Sequence, residues 1–168
     1  LGIINRVQDN RIDKEYFPKK EEGEILIQFK LSAIDMTKGD WLILARTNPL
    51  LKDVGRYLKS QGLFFETAKG NSIGKALYED IGYWNQMRKG EDINKEPRIK
   101  VSTIHGAKGG EATNVVLYLN QTTNTMKAAN KSVAKQDEEY RVWYVAVTRT
   151  IQKLYLIKCN NRKKEFKI

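Results

Sequence analysis

The sequence predicts an α/β fold in which helices cover both faces of a mostly parallel β-sheet. Short apolar runs bounded by turn residues alternate with longer segments whose apolar residues recur at helical spacing. This alternation is typical of parallel sheets, because each strand needs a crossover connection to reach the next. The chain has 168 residues, 40% of them hydrophobic, and no internal repeat, so we expect one domain over residues 1–168.

Six apolar runs are predicted to be strands: residues 24–29, 41–45, 63–67, 99–103, 114–119 and 153–158. They are shorter than an ordinary helix and lie between turn residues. The first two, EILIQF and WLILA, are apolar throughout, which favours strands buried on both faces. Residues 32–40 between them indicate a turn or a short helix.

The clearest helix follows the second strand. Asn48 is its expected N-cap, Pro49 its first helical residue and Gly62 its end. Its inward stripe consists of Leu51, Val54 and Leu58. Further helices are predicted over residues 1–11, 72–90 and 137–149, with Ser72 as the cap of the second of these. Residues 14–23, 91–97 and 121–135 are expected to be loops, the last of them mobile.

Composition limits the function classes. A formal net charge of +10 favours a nucleic-acid partner over a merely lysine-rich solvated surface. One cysteine, Cys159, and one histidine exclude an internal disulfide and a zinc cluster. The sequence has no apolar run of membrane-spanning length and no signal pattern, so we expect a cytoplasmic protein. The chain starts on Leu1, as though cut from a longer protein.

Two stretches are candidates for chemistry. Residues 101–111, VSTIHGAKGGE, leave a predicted strand in a glycine-rich loop, and Gly106, Gly109 and Gly110 are expected to let backbone amides turn toward a phosphate or sugar. Residues 137–149, DEEYRVWYVAVTR, have an acidic opening, an apolar centre and a terminal arginine, Arg149. Loops of this kind lie at the carboxyl ends of parallel strands, where ligands bind in α/β sheets.

A third stretch is similar to a phosphate-binding motif but lacks two of its essential residues. Residues 70–76, GNSIGKA, resemble the P-loop pattern G-x-x-x-x-G-K-[ST], but Lys69 stands where the first glycine is needed and Ala76 replaces the hydroxyl that holds magnesium. We therefore interpret Lys75 as an ordinary lysine at a helix N-terminus. No other segment supplies a P-loop, and no acidic pair after an apolar strand offers the carboxylates that ATP hydrolysis requires.

The two candidate stretches resemble motifs V and VI of the UvrD/Rep-like superfamily 1 DNA helicases, T-x-H-x-A-K-G-x-E and E-E-x-R-x-x-Y-V-A-x-T-R. ILARTN at residues 43–48 is similar to the family's L-x-R-x-N segment, so the resemblance covers nearly the whole chain. It implies the second RecA-like domain of a two-domain motor, a three-layer P-loop NTPase-like fold without its own P-loop. The P-loop and the Mg²⁺ of ATP would belong to the N-terminal RecA-like domain of the same parent protein. Single-stranded DNA would be the other partner, with travel from 3′ to 5′.

The resemblance also implies site residues. Arg149 would be the catalytic arginine finger that reaches the γ-phosphate. Gly109, Gly110 and Glu111 would complete the ATP-binding set, with Glu111 on the ribose. The implied DNA-binding residues are Arg46, Asn48, Thr103, His105 and Lys108, and no metal ligand of this chain is implied.

The sequence departs from the family pattern at three positions and in one segment. Tyr140-Arg141 replaces the commoner double arginine, and Gly110 and Ala112 replace bulkier residues, which predicts looser packing behind Glu111. Relatives often insert a large subdomain where this chain has only residues 89–98, so the insertion is either naturally absent or removed.

Alternatives stay open for most of these residues. Glu111 could be a solvated carboxylate, Arg149 could pair with Glu138 or Glu139, and Asn48 could serve only as a helix cap. His105 could be a structural residue, and Lys108 could contact DNA or pack within its loop. For the whole chain, one rival function is a non-motor, basic nucleic-acid-binding or interaction domain with the same fold. The other rival is a self-contained phosphotransfer enzyme that uses Lys75.

Overall fold

The computed structural model describes residues 22–72, 95–107 and 109–168. Within them, seven strands form one sheet: β1 (Glu24–Gln28), β2 (Trp41–Ala45), β3 (Phe65–Thr67), β4 (Gly70–Asn71), β5 (Ile99–Thr103), β6 (Ala112–Tyr118) and β7 (Thr150–Ile157). Their spatial order is β1-β7-β6-β2-β5-β3-β4, and every neighbouring pair is parallel except β3 and β4. The predicted α/β fold with a mostly parallel sheet is confirmed.

Helices cover both faces of this sheet. Helix α1 (Asn48–Ser60) packs Val54 and Leu58 against one face, in a cluster that includes Ile43 of the central strand β2. Helices α2 (Thr123–Ala129) and α3 (Val133–Val147) lie on the other face, where Trp143 is fully buried. Because strand side chains alternate between faces, Leu42 of β2 joins this second cluster. The result is a three-layer arrangement with β2 at its centre.

Helix α3 brings one of the two candidate stretches into the core. The Ser132 side chain accepts a hydrogen bond from the Lys135 amide and so caps the first turn. Further along, the Trp143 indole stacks on Phe166 near the C-terminus, with ring centroids 4.5 Å apart and planes 8° from parallel. This stacking fixes the middle of α3 in the core. The helix ends at Val147, two residues before Arg149.

Several local predictions are wrong. The N-cap of α1 is Thr47 rather than Asn48: Thr47 has extended backbone, and its carbonyl accepts the first turn's hydrogen bond from Leu50. Residues 121–135 are not a mobile loop, because Thr122 caps α2 by accepting from the Thr125 amide and α2 packs on α3. The strand predicted over residues 63–67 is shorter and turns back as β4, where the Ser72 hydroxyl accepts from the Phe65 amide.

Strand β1 exists as predicted, but it is not buried. Ile25, Ile27 and Phe29 are 67%, 55% and 67% exposed. Among the described residues, β1 is an edge strand whose one neighbour is β7, and α3 packs over β6 and β7 instead. An apolar sequence run therefore identified the strand correctly but not its position in the sheet.

Other predictions lie outside the described residues. These are the helix over residues 1–11, the following loop as far as residue 21, the helix after Ser72 and the P-loop-like Lys75. No helix in the described part of the chain is long and apolar enough to span a membrane.

Candidate functional site

Both candidate stretches and the ILARTN segment meet at the carboxyl ends of the central strands. Strands β2 and β5 are parallel and in register, with Ala45 opposite Thr103. The Ile104 amide continues this ladder by donating to the Ala45 carbonyl at 3.0 Å. Arg46 therefore leaves β2 directly beside the loop that carries His105. Parallel pairing alone brings these residues together although they are far apart in the sequence.

The glycine-rich loop is held mainly by its own hydrogen bonds. The Gly106 amide donates to the Thr103 hydroxyl at 3.2 Å, and the Gly110 amide donates to the Ala107 carbonyl at 3.1 Å. In this structure both amides are therefore engaged within the loop, and their turning toward a ligand stays a prediction. A side chain at Gly106 would place its Cβ 2.6 Å from the Ser102 hydroxyl, so the Ser102 side chain would have to rotate away to admit it. At Gly109 the constraint is the backbone conformation, since its φ of +85° lies in the left-handed region that favours glycine.

Arg149 lies against the end of this loop. Its carbonyl accepts from the Ala112 amide at 3.1 Å, which fixes Arg149 beside Glu111 at the start of β6. Its guanidinium Nη1 is 3.5 Å from the Gly110 carbonyl, and its Nε donates to the Val145 carbonyl at 3.2 Å. The predicted ATP-binding residues thus come together at one corner of the sheet. Glu111 is exposed there, so its carboxylate is accessible to a ligand.

No carboxylate among the described residues pairs with Arg149. The two acidic residues considered as its partners are engaged elsewhere: Glu138 accepts from Lys135 at 2.7 Å, and Glu139 pairs with Arg46. The remaining guanidinium contact is to the Thr148 hydroxyl at 3.4 Å. All the described partners of Arg149 are therefore neutral oxygens, which leave its charge uncompensated and suited to an anion.

Arg46, which was predicted to contact DNA, is paired with a carboxylate in the structure. Its Nε and Nη2 donate to the two carboxylate oxygens of Glu139 at 2.8 and 2.9 Å, a bidentate pair. The two side chains are only 18% and 8% exposed. The Trp143 indole donates to the same Oε1 of Glu139 at 2.8 Å, and Nη1 of Arg46 is 3.4 Å from Nδ1 of His105. Four side chains from three elements thus form one network.

The other predicted DNA contacts are more accessible. His105 is exposed, and Thr103 is half-buried with its hydroxyl accepting from Gly106, so the hydroxyl hydrogen remains for donation. Asn48 is exposed, and its side chain has no hydrogen bond to the described residues, so capping does not account for it. Lys108 lies outside the described residues.

A cavity of about 330 Å³ opens beside this network, between α2 and α3. Arg46, His105 and Glu139 form part of its lining, together with Lys131 and Lys135. Sequence reasoning assigned no role to these two lysines, because it treated residues 121–135 as a loop. Among the described residues, no group of three or more histidine, cysteine or acidic residues could hold a metal ion.

Sequence reasoning also missed Glu139 as the partner of Arg46. A signal was present: Glu139 and Trp143 are four residues apart and so share one face of a helix. Trp143 belongs to the apolar face, so a carboxylate one turn earlier is buried as well and needs a cationic partner. The identity of that partner depended on the fold.

Comparison with known proteins shows which protein family this chain belongs to. The profile of the UvrD-like helicase C-terminal domain matches residues 75–161, more than half of the chain. A subunit of the ATP-dependent helicase/nuclease of Lactobacillus acidophilus is 28% identical to this chain, in an alignment that covers 70% of the chain. That alignment spans only 14% of the curated relative's own length. The crystal structure of the C-terminal domain of a possible DNA helicase from Lactobacillus plantarum is similar over 81% of this chain and 73% of its own, with 13% identity and a TM-score of 0.47.

Proposed function

Since the chain belongs to the family of UvrD-like helicase C-terminal domains, we propose that it is the second RecA-like motor domain of an ATP-dependent DNA helicase. In this role it completes, in trans, an ATP site whose P-loop is on another domain, and it contacts single-stranded DNA. The observation that carries the proposal is the position of Arg149. Its guanidinium lies at the Gly110 carbonyl, next to the exposed Glu111, with only neutral partners among the described residues.

On the ATP side, two residues have distinct roles. The Glu111 carboxylate accepts hydrogen bonds from the ribose hydroxyls and orients the nucleotide. The Arg149 guanidinium, a planar fork of donors, stabilises negative charge on the γ-phosphate oxygens. ATP supplies the phosphoryl group that is transferred to water. Its Mg²⁺ would be held by the P-loop domain.

On the DNA side, Thr103, His105 and Asn48 offer donors to phosphate oxygens along the same edge of the sheet. Lys108 adds a cation to this loop, and Lys131 and Lys135 add two at the neighbouring cavity. One short loop thus separates the DNA contacts from Glu111. Closing and opening against the P-loop domain would therefore move the DNA and the nucleotide together, with travel from 3′ to 5′ as in the family that the motifs resemble.

The first test is ATP hydrolysis by the purified chain alone and by a protein that joins it to its P-loop domain. We expect no DNA-stimulated turnover from the chain alone, because the groups that hold Mg²⁺ and activate water are on the other domain. Turnover should appear in the joined protein. DNA-stimulated hydrolysis by the isolated chain would overturn the division of the site between two domains.

A second test separates a motor domain from a non-motor, basic interaction domain. Fluorescence anisotropy with labelled single-stranded DNA should show binding that weakens steeply as salt rises, because phosphate contacts release counterions. The joined protein should bind more tightly, and ATP should change its affinity for DNA. If ATP leaves DNA affinity unchanged in a folded, ATP-binding joined protein, the two ligands are not coupled and the motor assignment is wrong.

A further inference from the structure

We propose that Arg46 is a positioning residue and not a contact to the DNA phosphates. Paired with Glu139, it ties the loop that carries His105 to the helix that ends beside Arg149. The inference rests on the proposed function, since it concerns how the DNA-side loop and the ATP-side arginine are held relative to each other. It assigns a role to Glu139, which the sequence motifs left without one.

Arg46 and Glu139 form a bidentate pair. Glu139 occupies one edge of the Arg46 guanidinium, where Nε and Nη2 donate to its two carboxylate oxygens at 2.8 and 2.9 Å. Its carboxylate neutralises the arginine charge that a phosphate would otherwise meet. With 18% exposure for Arg46 and 8% for Glu139, replacing this partner by DNA would leave a carboxylate buried without its cation, which is costly. The pair is therefore expected to persist when DNA binds.

Arg46 also contacts the imidazole of His105. A guanidinium nitrogen has no lone pair, so in the 3.4 Å contact between Nη1 of Arg46 and Nδ1 of His105 the imidazole nitrogen can only accept. A neutral imidazole with Nδ1 as acceptor carries its proton on Nε2. Arg46 thereby selects the tautomer in which Nε2 can donate a hydrogen bond to a phosphate oxygen. In this arrangement the arginine prepares the histidine for DNA.

Helix α3 connects Glu139 to the ATP side of the site. Glu139 and Trp143 belong to α3, whose last residue, Val147, is two positions before Arg149. The Arg149 carbonyl in turn holds the Ala112 amide next to Glu111. The Arg46–Glu139 pair therefore gives the His105 loop a path of contacts to α3 and to the arginine at its end. The network is a physical connection between the two ligand sites.

The experiment measures single-stranded DNA binding by the 168-residue chain over a range of salt concentrations, using anisotropy of a labelled oligothymidylate. The variants are Arg46→Met, Glu139→Gln and the double variant. Arg56→Met is the matched control, because Arg56 also pairs with a carboxylate, Asp53, but on the exposed surface of α1. Thermal melting establishes that each variant is folded.

The two roles predict opposite signs for Glu139→Gln. If Arg46 positions the loop, Glu139→Gln and Arg46→Met should each weaken binding roughly three- to tenfold, and the double variant should be no weaker than the worse single one. The salt slope should stay that of the unmodified chain. If Arg46 contacts a phosphate, Glu139→Gln frees the arginine and should tighten binding. Arg46→Met should then reduce the magnitude of the slope by about 0.7, the loss of one contact.

Tighter binding by Glu139→Gln, a reduced slope for Arg46→Met or additive losses would each overturn the positioning role. A single variant could fail to fold because one charge is left buried without its partner. In that case the double variant, which removes both charges, tests the proposal. If its affinity for DNA equals that of the unmodified chain, the positioning role is wrong. If the unmodified chain itself does not bind at low salt, the proposed function is wrong and the positioning role falls with it. In the protein joined to its P-loop domain, Glu139→Gln should lower kcat for ATP while leaving KM nearly unchanged.

Discussion

Replacing Arg149 by alanine should separate a catalytic arginine from a structural one. The described contacts of its guanidinium are a 3.2 Å hydrogen bond to the Val145 carbonyl and longer contacts, at 3.4 and 3.5 Å, to Thr148 and Gly110. Neutral hydrogen bonds of ideal length each contribute about 1 kcal/mol, and these are longer and partly exposed, so Arg149→Ala should cost about 1 kcal/mol of folding stability or less. As a γ-phosphate finger, in contrast, its loss should lower kcat about 10³-fold, which is about 4 kcal/mol of transition-state stabilisation.

The assay is steady-state ATP hydrolysis on saturating single-stranded DNA, in the protein that carries both this domain and the P-loop domain. ATP binding should be affected far less than turnover, because the triphosphate is held mainly by the P-loop. Arg149→Lys should not restore the rate, since one ammonium group cannot reproduce the planar fork of donors. Arg56→Ala, on the outer surface of α1, is the control for the loss of one positive charge.

The expected loss of folding stability is small and the expected loss of kcat is large, so the two measurements together distinguish a catalytic arginine from a structural one. A folded Arg149→Ala protein with near-normal turnover would show that the arginine only fastens the end of α3 to the glycine-rich loop. A variant that loses activity and melts many degrees lower would also identify a structural arginine, because the described contacts are too weak for a large stability effect to accompany a catalytic one.

Three further predictions concern the loop and the sheet. Glu111→Ala should raise KM for ATP more than it lowers kcat, because a ribose contact is made equally in the ground and transition states; a pure kcat effect in steady-state assays would contradict that role. Gly109→Ala should destabilise the chain by about 1–2 kcal/mol in denaturant unfolding, because φ is +85°, whereas Gly110→Ala meets only an ordinary 3.6 Å contact and should cost much less. Equal losses would mean that the backbone angle is not the cause. Asp40→Asn should destabilise the chain at neutral pH, and this difference should shrink as the pH falls below the unfolded pKa of about 4, as chemical denaturation across pH would show.

The pH dependence of Asp40 follows from its hydrogen bonds. Burial on its own raises the pKa of the carboxyl. The hydrogen bonds from Thr113, including the 2.6 Å bond from its amide, and one from the backbone of Asp40 itself together outweigh burial and hold the pKa below its ordinary value. A lowered folded-state pKa stabilises the fold above the unfolded pKa of about 4, and this stabilisation is lost as pH falls through the folded value. A constant difference between the two proteins from pH 7 to pH 3 would exclude this ionisation as its source.

The sequence predicted the elements well where local pattern and tertiary position agree. Strand β2, for example, is found over the predicted residues, because its five apolar residues are central and buried. Strand β1 has an equally apolar sequence and yet is exposed, since no local pattern distinguishes an edge strand from a central one. Helix α2 was missed because its polar sequence is stabilised by the Thr122 cap and by packing on α3.

The candidate site was predictable to a similar extent. Motif spacing placed Glu111 and Arg149 in one site through the family resemblance, and the structure brings their backbones together. The resemblance named Arg46 and His105 only as DNA-binding residues, and the structure brings their side chains within 3.4 Å of each other. The partner of Arg46, Glu139, is 93 residues away in the sequence. A pair at that separation is specified by the packing of α3 on the sheet, and a single sequence carries no direct signal for it.

The pairing of β1 with β7 affects how the protein can fold. In the described chain, the first strand finds its neighbour in the last one, with Glu24 opposite Lys153. Contacts between residues so distant in sequence form late, because a long loop must close before they stabilise anything. During synthesis on the ribosome, β1 therefore emerges before the one neighbour it has among the described strands, β7. Shortening the chain before Ile157 would remove part of that neighbour, so the C-terminal boundary of an expressed fragment affects how β1 joins the sheet.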